Sequence, residues 1–336
     1  MLKITNIYGM SSSSTALIAQ NMVANAAKKL GFEELGIFFY SVDSDSDDML
    51  RARMDGILAS LAYGDTVVYQ FPSWNGLKFD KLLLEKIRNY SGVKLIIFVH
   101  DLIPFMWRGN YYLIDEIVYM LNLADVLILP TRQTLDRLMP HDLKVEKIVF
   151  QEIWDSDVDV QVGRAPFNKI INFIGDIQKF RFVDNYHYNI PIHCHSKIND
   201  ELNLSEQVKI EQFLPGDELV KTINKRGGFG LVWSEEEYTV EYLKSALSYK
   251  IGTYIVAHIP IILSNDNACA AIIRDNNLGI TVDSIEEAVE KINALSDEEY
   301  SKMQDSVINF APLLRNGYFS IKALVDSVHL SRRAPF

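Results

Sequence analysis

The chain has 336 residues, with 33 Lys and Arg against 44 Asp and Glu, a net charge of −11 and an isoelectric point near 5.2. That length exceeds one ordinary core and suits two domains, and 48% hydrophobic with 23% charged residues describes a soluble globular chain. The acidic balance, with no basic cluster beyond Arg332-Arg333, argues against a nucleic-acid partner.

The opening MLKITNIYGM turns polar within ten residues, so no secretory leader is expected. No segment approaches the ~18 apolar residues of a membrane span. A cytoplasmic location follows as the expectation. Cys194 and Cys269 have no metal-ligand spacing and read as reduced, buried thiols.

Taken in order, the first half alternates strands and helices. Residues 2–7 form an apolar strand, followed by Gly9, the run Ser11-Ser12-Ser13-Ser14, and a helix from Thr15 to about residue 30. A strand, a Gly/Ser loop and a helix start make an anion site. The same residues also read as a plain Ser or Thr helix cap. No Gly-Lys-Ser/Thr follows, so this is not a P-loop. Residues 36–40 are a second strand, and 41–48 (SVDSDSDD) an acidic loop. Its Asp-x-Asp triplets resemble metal and sugar-diphosphate ligands, but Asp and Ser also dominate solvated turns. The triplets at 155–157 and 157–159 read the same way.

A helix is predicted over 49–61, a strand over 66–70, a helix over 79–89 and an apolar strand over 94–99. His100 and Asp101 follow directly, a pair at a strand's carboxyl end where catalytic groups collect. Alternatively they satisfy loop backbone. Helix 112–122, strand 126–129, helix 131–139 and strand 147–151 complete a doubly wound pattern.

Residues 155–166 are polar and break the alternation, which sets a domain boundary. Domains are expected over 1–155 and 160–312, with 313–336 a C-terminal helix that packs back on the first domain or forms a subunit contact. Strands are predicted over 169–174 (ending at Gly175), 190–195, 208–213 and 229–233, with a helix over 217–225. The apolar stripe Leu243, Leu247, Ile251 and Ile255 predicts one helix over 243–256. Strand 261–263 and helix 268–274 follow. Helices are also predicted over 284–294, 297–310 and 319–328, with a capping box of Ser296 and Glu299, and Pro312 breaks the chain after the second of them.

The pattern implies an α/β chain of two Rossmann-like domains facing across a cleft. Tyr249, Lys250, Ser264 and Asn265 fall where they border it, with Ser14, Thr15, His100 and Asp101 from the first half and Lys179 from the second. Lysine beside a helix start suits a phosphate. No G-x-G-x-x-G follows any strand, which weakens a dinucleotide reading.

The segment YKIGTYIVAHIPIILSNDNACAAIIRDNNLGITVDSIEEA resembles the donor-binding half of a GT-B glycosyltransferase. Together with ITNIYGMSSSSTA, ELGIFFY, FPSWN, FVHDLIPFMWRGNYYL, ADVLILPT, FIGDIQKFRFV, GGFGLVW and APLLRNGYFS, in order along the chain, it is similar to a narrower group. These are the glucosyltransferases that add the second sugar to serine-rich repeat adhesins of Gram-positive bacteria.

The resemblance implies a UDP-sugar donor, UDP-glucose or UDP-GlcNAc, and no metal or other cofactor. It implies an acceptor GlcNAc already O-linked to Ser or Thr of an adhesin. It implies that Lys250 and Lys179 hold the diphosphate, with Gly175 beside them, that Phe213 lines the nucleotide pocket, and that Thr15 with its serine loop faces the cleft, Thr15 on the nucleotide sugar and Ser11 to Ser14 as the acceptor loop. The chain departs from the pattern with Lys at 179 for Arg and Phe at 213 for Tyr, and it lacks the Glu-x7-Glu of many retaining GT-B enzymes around 264–271. Either His100 or Asp101 orients or deprotonates the acceptor hydroxyl. A homo-oligomer, dimer or tetramer, is expected. Other readings are a non-catalytic glycan-binding partner of a glycosyltransferase complex, and a hexosyltransferase acting on lipid or polysaccharide.

Overall fold

The computed structural model describes residues 1–156, 158–197 and 204–333. The aspartate triplets at 155–157 and 157–159 both include Asp157, which lies outside the described residues. The chain forms two units, Met1–Glu152 with Phe319–Phe336, and Ile153–Tyr318.

The first unit carries β1 (Leu2–Tyr8), β2 (Glu33–Phe38), β3 (Thr66–Phe71), β4 (Lys94–Val99), β5 (Val126–Leu129) and β6 (Ile148–Phe150). They make one sheet in the order β2-β1-β3-β4-β5-β6, parallel at every pairing. All of β3 and β5 is buried. This is why β5 reads as an unbroken apolar run, since helices cover both faces of a parallel sheet, while β3 also buries the polar Thr66 and Gln70. Each fully buried Ile, Leu or Phe there contributes about 1.5–3 kcal/mol.

The second unit repeats the scheme with β7 (Ile171–Ile174), β8 (Ile192–His195), β9 (Val208–Glu211), β10 (Phe229–Val232), β11 (Ile261–Ser264) and β12 (Gly279–Val282). Their order is β12-β11-β10-β7-β8-β9, again all parallel. Its core joins Phe173, Phe229, Leu231, Ile285 and Tyr300.

Each sheet has one point where the winding reverses. In the first the chain leaves β1 for β2 on one side and β3 on the other. In the second it winds outward through β8 and β9, then returns to β10 beside β7. Loops part at such a point, and ligands bind outside the carboxyl ends of the strands there. The organising positions are therefore the loops after β1 and β3, and those after β7 and β10.

Several expected boundaries move. The second strand lies at Glu33–Phe38 rather than 36–40. The helix expected over 112–122 begins as a 3-10 segment, Arg108–Leu113, before the α-helix Ile114–Leu121. The helix expected over 243–256 is two helices, Glu237–Leu243 and Tyr249–Val256. The apolar stripe was real, but the backbone between has other partners. Ser245 and Ala246 amides both turn back to the Tyr242 carbonyl, and the Trp154 indole donates to the Leu247 carbonyl at 3.2 Å. Pro312 lies inside the helix Asp297–Arg315 rather than ending it. Proline there costs about 3 kcal/mol. Buried Val307, Ala311 and Leu314 offset it, as do the Arg315 guanidinium bonds to the carbonyls of Val158, Val160 and Val256. The capping box at Ser296 and Glu299 forms as expected, and both cysteines are free and buried.

Candidate functional site

The break after Leu247 has a chemical consequence. With Ser248 as N-cap, Lys250 falls in the first turn of the helix Tyr249–Val256, where amide N–H groups lack intrahelical acceptors. Trp154 stacks on Tyr249 with centroids 5.0 Å apart and planes 11° apart, which fixes this helix start.

Tyr254, one turn further on, ties the helix to the reversal point of the second sheet. The Ile174 amide of β7 donates to its hydroxyl at 3.0 Å, and the hydroxyl donates to the Leu231 carbonyl of β10 at 3.1 Å. Gly230 makes this possible, because a Cβ there would lie 2.1 Å from the Tyr254 ring. The phenol thus stands between the two strands where they part.

Lys250 consequently reaches the end of β7. Its Nζ lies 3.9 Å from the Phe180 ring centroid and 4.8 Å from that of Phe173. It also lies 3.1 Å from where a Cβ on Gly175 would stand. Lys179 Nζ sits 5.5 Å from the same Phe180 ring. Among the described residues neither ammonium forms a close ion pair, and Lys179 is near enough to Glu236 to help lower that carboxyl's pKa. Burial first, and then the like charge of Lys179, lower the Lys250 pKa from 10.5 to about 7. A positive group held on aromatic faces without a counter-ion is poised to take an anion from outside. The turn carrying Lys179 is itself braced, since the amides of Lys179 and Phe180 both donate to the Asp176 carbonyl.

The other expected donor-side residues lie along the same sheet edge. Phe213 is exposed two residues beyond β9, with Lys197 Nζ 4.7 Å from its ring centroid. Ser264 ends β11, and its hydroxyl closes a turn by accepting the Asp266 amide at 3.3 Å. The Asn265 amide donates to Asp283 at 2.7 Å. The structure therefore brings Gly175, Lys179 and Lys250 together, with Tyr249 one residue away, and leaves Ser264 and Asn265 occupied in their own loop.

In the first unit Gly9 has a φ of +82°, and the Ser14 hydroxyl caps the helix Thr15–Lys29 by accepting the Leu17 amide at 3.4 Å. Ser11, Ser12, Ser13 and Thr15 are exposed, and the hydroxyls of Ser11 and Ser13 lie 3.0 Å apart. The loop lies at the β1 side of the reversal point.

His100 follows β4 and is buried, and its amide donates to the Phe71 carbonyl of β3 at 2.8 Å. Its ring stacks on Phe98 at 5.1 Å. Gln70 spends its side-chain amide on the carbonyls of Thr5 and Gln20, at 2.6 and 3.1 Å. Its oxygen, 2.8 Å from His100 Nε2, must therefore accept. The proton lies on Nε2 and the lone pair on Nδ1. Burial drives the His100 pKa down to about 3, so the ring is neutral at physiological pH and a weak proton acceptor. Asp101 beside it is only half-buried.

The rings around Lys250 (Phe173 and Phe180), the Tyr254 bridge, and Gln70 with Gln20 were missed from sequence. Their apolar spacing marks the first three only as core, and nothing local distinguishes a buried glutamine from a surface one. Among the described residues no group of three His, Cys, Asp or Glu side chains is placed to hold a metal ion. None of the helices described is long and apolar enough to cross a membrane.

Two parallel, doubly wound units, one with a lysine pair at its reversal point, define a glycosyltransferase of the GT-B class. The same architecture appears in a sucrose-phosphate synthase from Thermosynechococcus elongatus (TM-score 0.69, 10% identity, 98% of each chain). It also appears in an alpha-glucosyltransferase in complex with UDP and a DNA 13-mer (TM-score 0.64, 14% identity, 98% of this chain and 99% of that one). Residues 1–153 match the family described as Glucosyltransferase 3-like, N-terminal domain, and residues 171–327 its C-terminal domain. Glucosyltransferase 3 of Streptococcus gordonii is 41% identical over 97% of this chain and 98% of its own length. That of Streptococcus parasanguinis is 37% identical over 97% of both. The chain belongs to the glucosyltransferase 3-like family.

Proposed function

We propose that the protein transfers glucose, or GlcNAc, from a UDP-sugar to GlcNAc O-linked to Ser or Thr of a serine-rich repeat adhesin, in the cytoplasm, as a homo-oligomer and without a metal. The observation that carries the donor half is the Lys250 ammonium, seated on Phe173 and Phe180 beside Gly175 at the reversal point of the second sheet. The relatives named glucosyltransferase and the neighbour solved with UDP support a uridine donor. The adhesin acceptor rests on the ordered segments shared with that group of enzymes.

In the reaction the anomeric carbon–oxygen bond to the β-phosphate breaks and a bond to the acceptor oxygen forms. The acceptor proton leaves to a base. Lys250, Lys179 and the first-turn amides of the helix Tyr249–Val256 stabilise the charge that grows on the departing diphosphate, the task a metal performs elsewhere. Asp101 is the base. His100, neutral and fixed by Gln70, orients rather than accepts a proton.

Acceptor-dependent release of UDP from UDP-glucose, with EDTA present, tests the reading. Turnover that persists in EDTA and disappears in Lys250→Ala is expected. A fully active Lys250→Ala would remove the donor-site assignment. UDP binding with no release on any glycosylated acceptor would leave a glycan-binding partner instead of an enzyme.

A further inference from the structure

We infer that the first unit carries a second, separate binding site for a neutral saccharide, in the cavity between the helix Ile114–Leu121 and the segment at residues 139–144. The cavity measures about 460 Å³, within the usual span of small-ligand sites. Its walls combine an aromatic ring, carboxylates, an amide, an imidazole and an ammonium, in Tyr119, Asp115, Asp142, Asn122, His141 and Lys144. The inference deepens the proposed function and rests on it for one point, that the acceptor chain bears several sugars.

Three observations point to a sugar. The first is a preformed aromatic wall. Tyr119 is 47% exposed, yet its hydroxyl donates to Glu85 at 2.9 Å and Lys81 Nζ lies 5.3 Å from its ring centroid. A ring held in this way offers an apolar face to sugar C–H groups at little entropic cost.

The second is a rigid polar floor. The Asn122 side chain donates to the Asp142 carbonyl at 3.0 Å and accepts the Lys144 amide at 2.7 Å. His141 is braced by the Tyr111 hydroxyl at 3.3 Å and lies 3.6 Å from Asp115. The carboxylates of Asp115 and Asp142 still face water, with side chains 89% and 81% exposed. The Asp142–Lys144 pair is a surface ion pair and is cheaply exchanged for bonds to hydroxyls. Two carboxylates disfavour a phosphate or nucleic acid, whereas hydroxyls satisfy carboxylate, amide and ammonium alike.

The third is continuity. Trp107, Tyr111 and Tyr112 are 46%, 47% and 77% exposed, and they lie on the segment that leaves the edge bearing His100 and Asp101. Such a run of exposed rings is unusual on a solvated surface. It leads from the catalytic edge of this unit to the cavity. The site therefore holds a sugar already on the acceptor chain while another residue of that chain reacts.

The test is a titration of chitobiose into the full-length protein labelled with 3-fluorotyrosine, read by fluorine NMR and assigned through single Tyr→Phe replacements. Saturable shifts at Tyr111 and Tyr119, with Tyr254 unmoved, are expected. Asp115→Asn and Tyr119→Ala should each weaken binding about tenfold, while Tyr119→Phe, which keeps the ring, retains most of it. Both weakened variants should keep the wild-type rate on an acceptor with one glycosylated serine and lose rate on one with many. Persistence of chitobiose binding in a protein that transfers no sugar would sink the proposed reaction and leave this site standing. Unchanged affinity in folded Tyr119→Ala and Asp115→Asn would overturn the site. So would fluorine shifts that follow protein concentration rather than sugar, since they would make this face a contact between copies of the chain.

Discussion

Lys250 ties donor binding to pH. In the empty protein its ammonium has a pKa lowered from 10.5 to about 7. A diphosphate placed against it favours the charged form and restores a high pKa. Binding then takes up a proton whenever the free protein has lost it. Below pH 7 the lysine is already charged and affinity is flat. Above pH 7 the rise in the Kd for UDP approaches about tenfold per pH unit, which makes about fiftyfold between pH 7 and 9. The variant Lys250→Arg keeps its charge throughout and should bind with a flat profile, which cancels any titration of the ligand itself.

Isothermal titration calorimetry in buffers of different ionisation enthalpy reads both quantities. Proton uptake near one half is expected at pH 7 and approaching one at pH 8.5. The stability of the empty protein moves the other way. The folded pKa lies below the unfolded one, so the unfolded chain holds more protons between about pH 7 and 10.5. This lysine's cost to the fold is greatest below pH 7 and is relieved as pH rises through that window. A Kd that changes less than about threefold from pH 7 to 9, with no proton uptake, would refute the account of an uncompensated, desolvated ammonium.

Other outcomes follow from the same contacts. Lys250→Met should raise the melting temperature of the empty protein at pH 7 while abolishing the UDP-induced shift, since it removes a desolvated charge but keeps the stem; a lowered melting temperature would count against it. Tyr254→Phe leaves the Ile174 amide without its acceptor and should cost about 1–3 kcal/mol in urea unfolding. Gly230→Ala, which drives a Cβ into the Tyr254 ring, should cost at least as much; a neutral effect of both would show that the bridge is dispensable. Asp101→Asn should reduce kcat about 10²–10⁴-fold with KM little changed. His100→Gln should be milder, and the reverse order would exchange their roles.

The two doubly wound units were legible because parallel strands buried on both faces are written as apolar runs. β4 and β5 could be placed to the residue. Lys250 and Gly175 were legible as separate points, one before a buried strand and one at the end of another. Their meeting was not, because it depends on Tyr254 and on the break after Leu247. That break is set by the Trp154 indole, some ninety positions away in sequence. Helical spacing reports which face is buried, and a stripe through 243, 247, 251 and 255 survives a non-helical link unchanged. Likewise Pro312 was a sound stop signal locally, and was overruled by packing around Ala311 and Leu314 and by Arg315.

The two sheets use one geometry for opposite electrostatics, and this assigns their roles on the proposed reading. At the reversal point of the second sheet, two ammonium groups share a phenylalanine face. That arrangement is unfavourable until an anion arrives, and so is suited to a leaving diphosphate. At the first sheet the buried side chains that join the loops after β3 and β4 are the neutral Gln20, Gln70 and His100. Gln20 donates to the Pro72 carbonyl, and Gln70 joins Thr5, Gln20 and His100. Such a network fixes the loops after β3 and β4 without adding charge. An acceptor hydroxyl needs that surrounding, because a cation there would make a nearby carboxylate a poorer base. Placing the unpaired positive charge in one unit and the half-buried carboxylate of Asp101 in the other keeps each group at the strength its step requires.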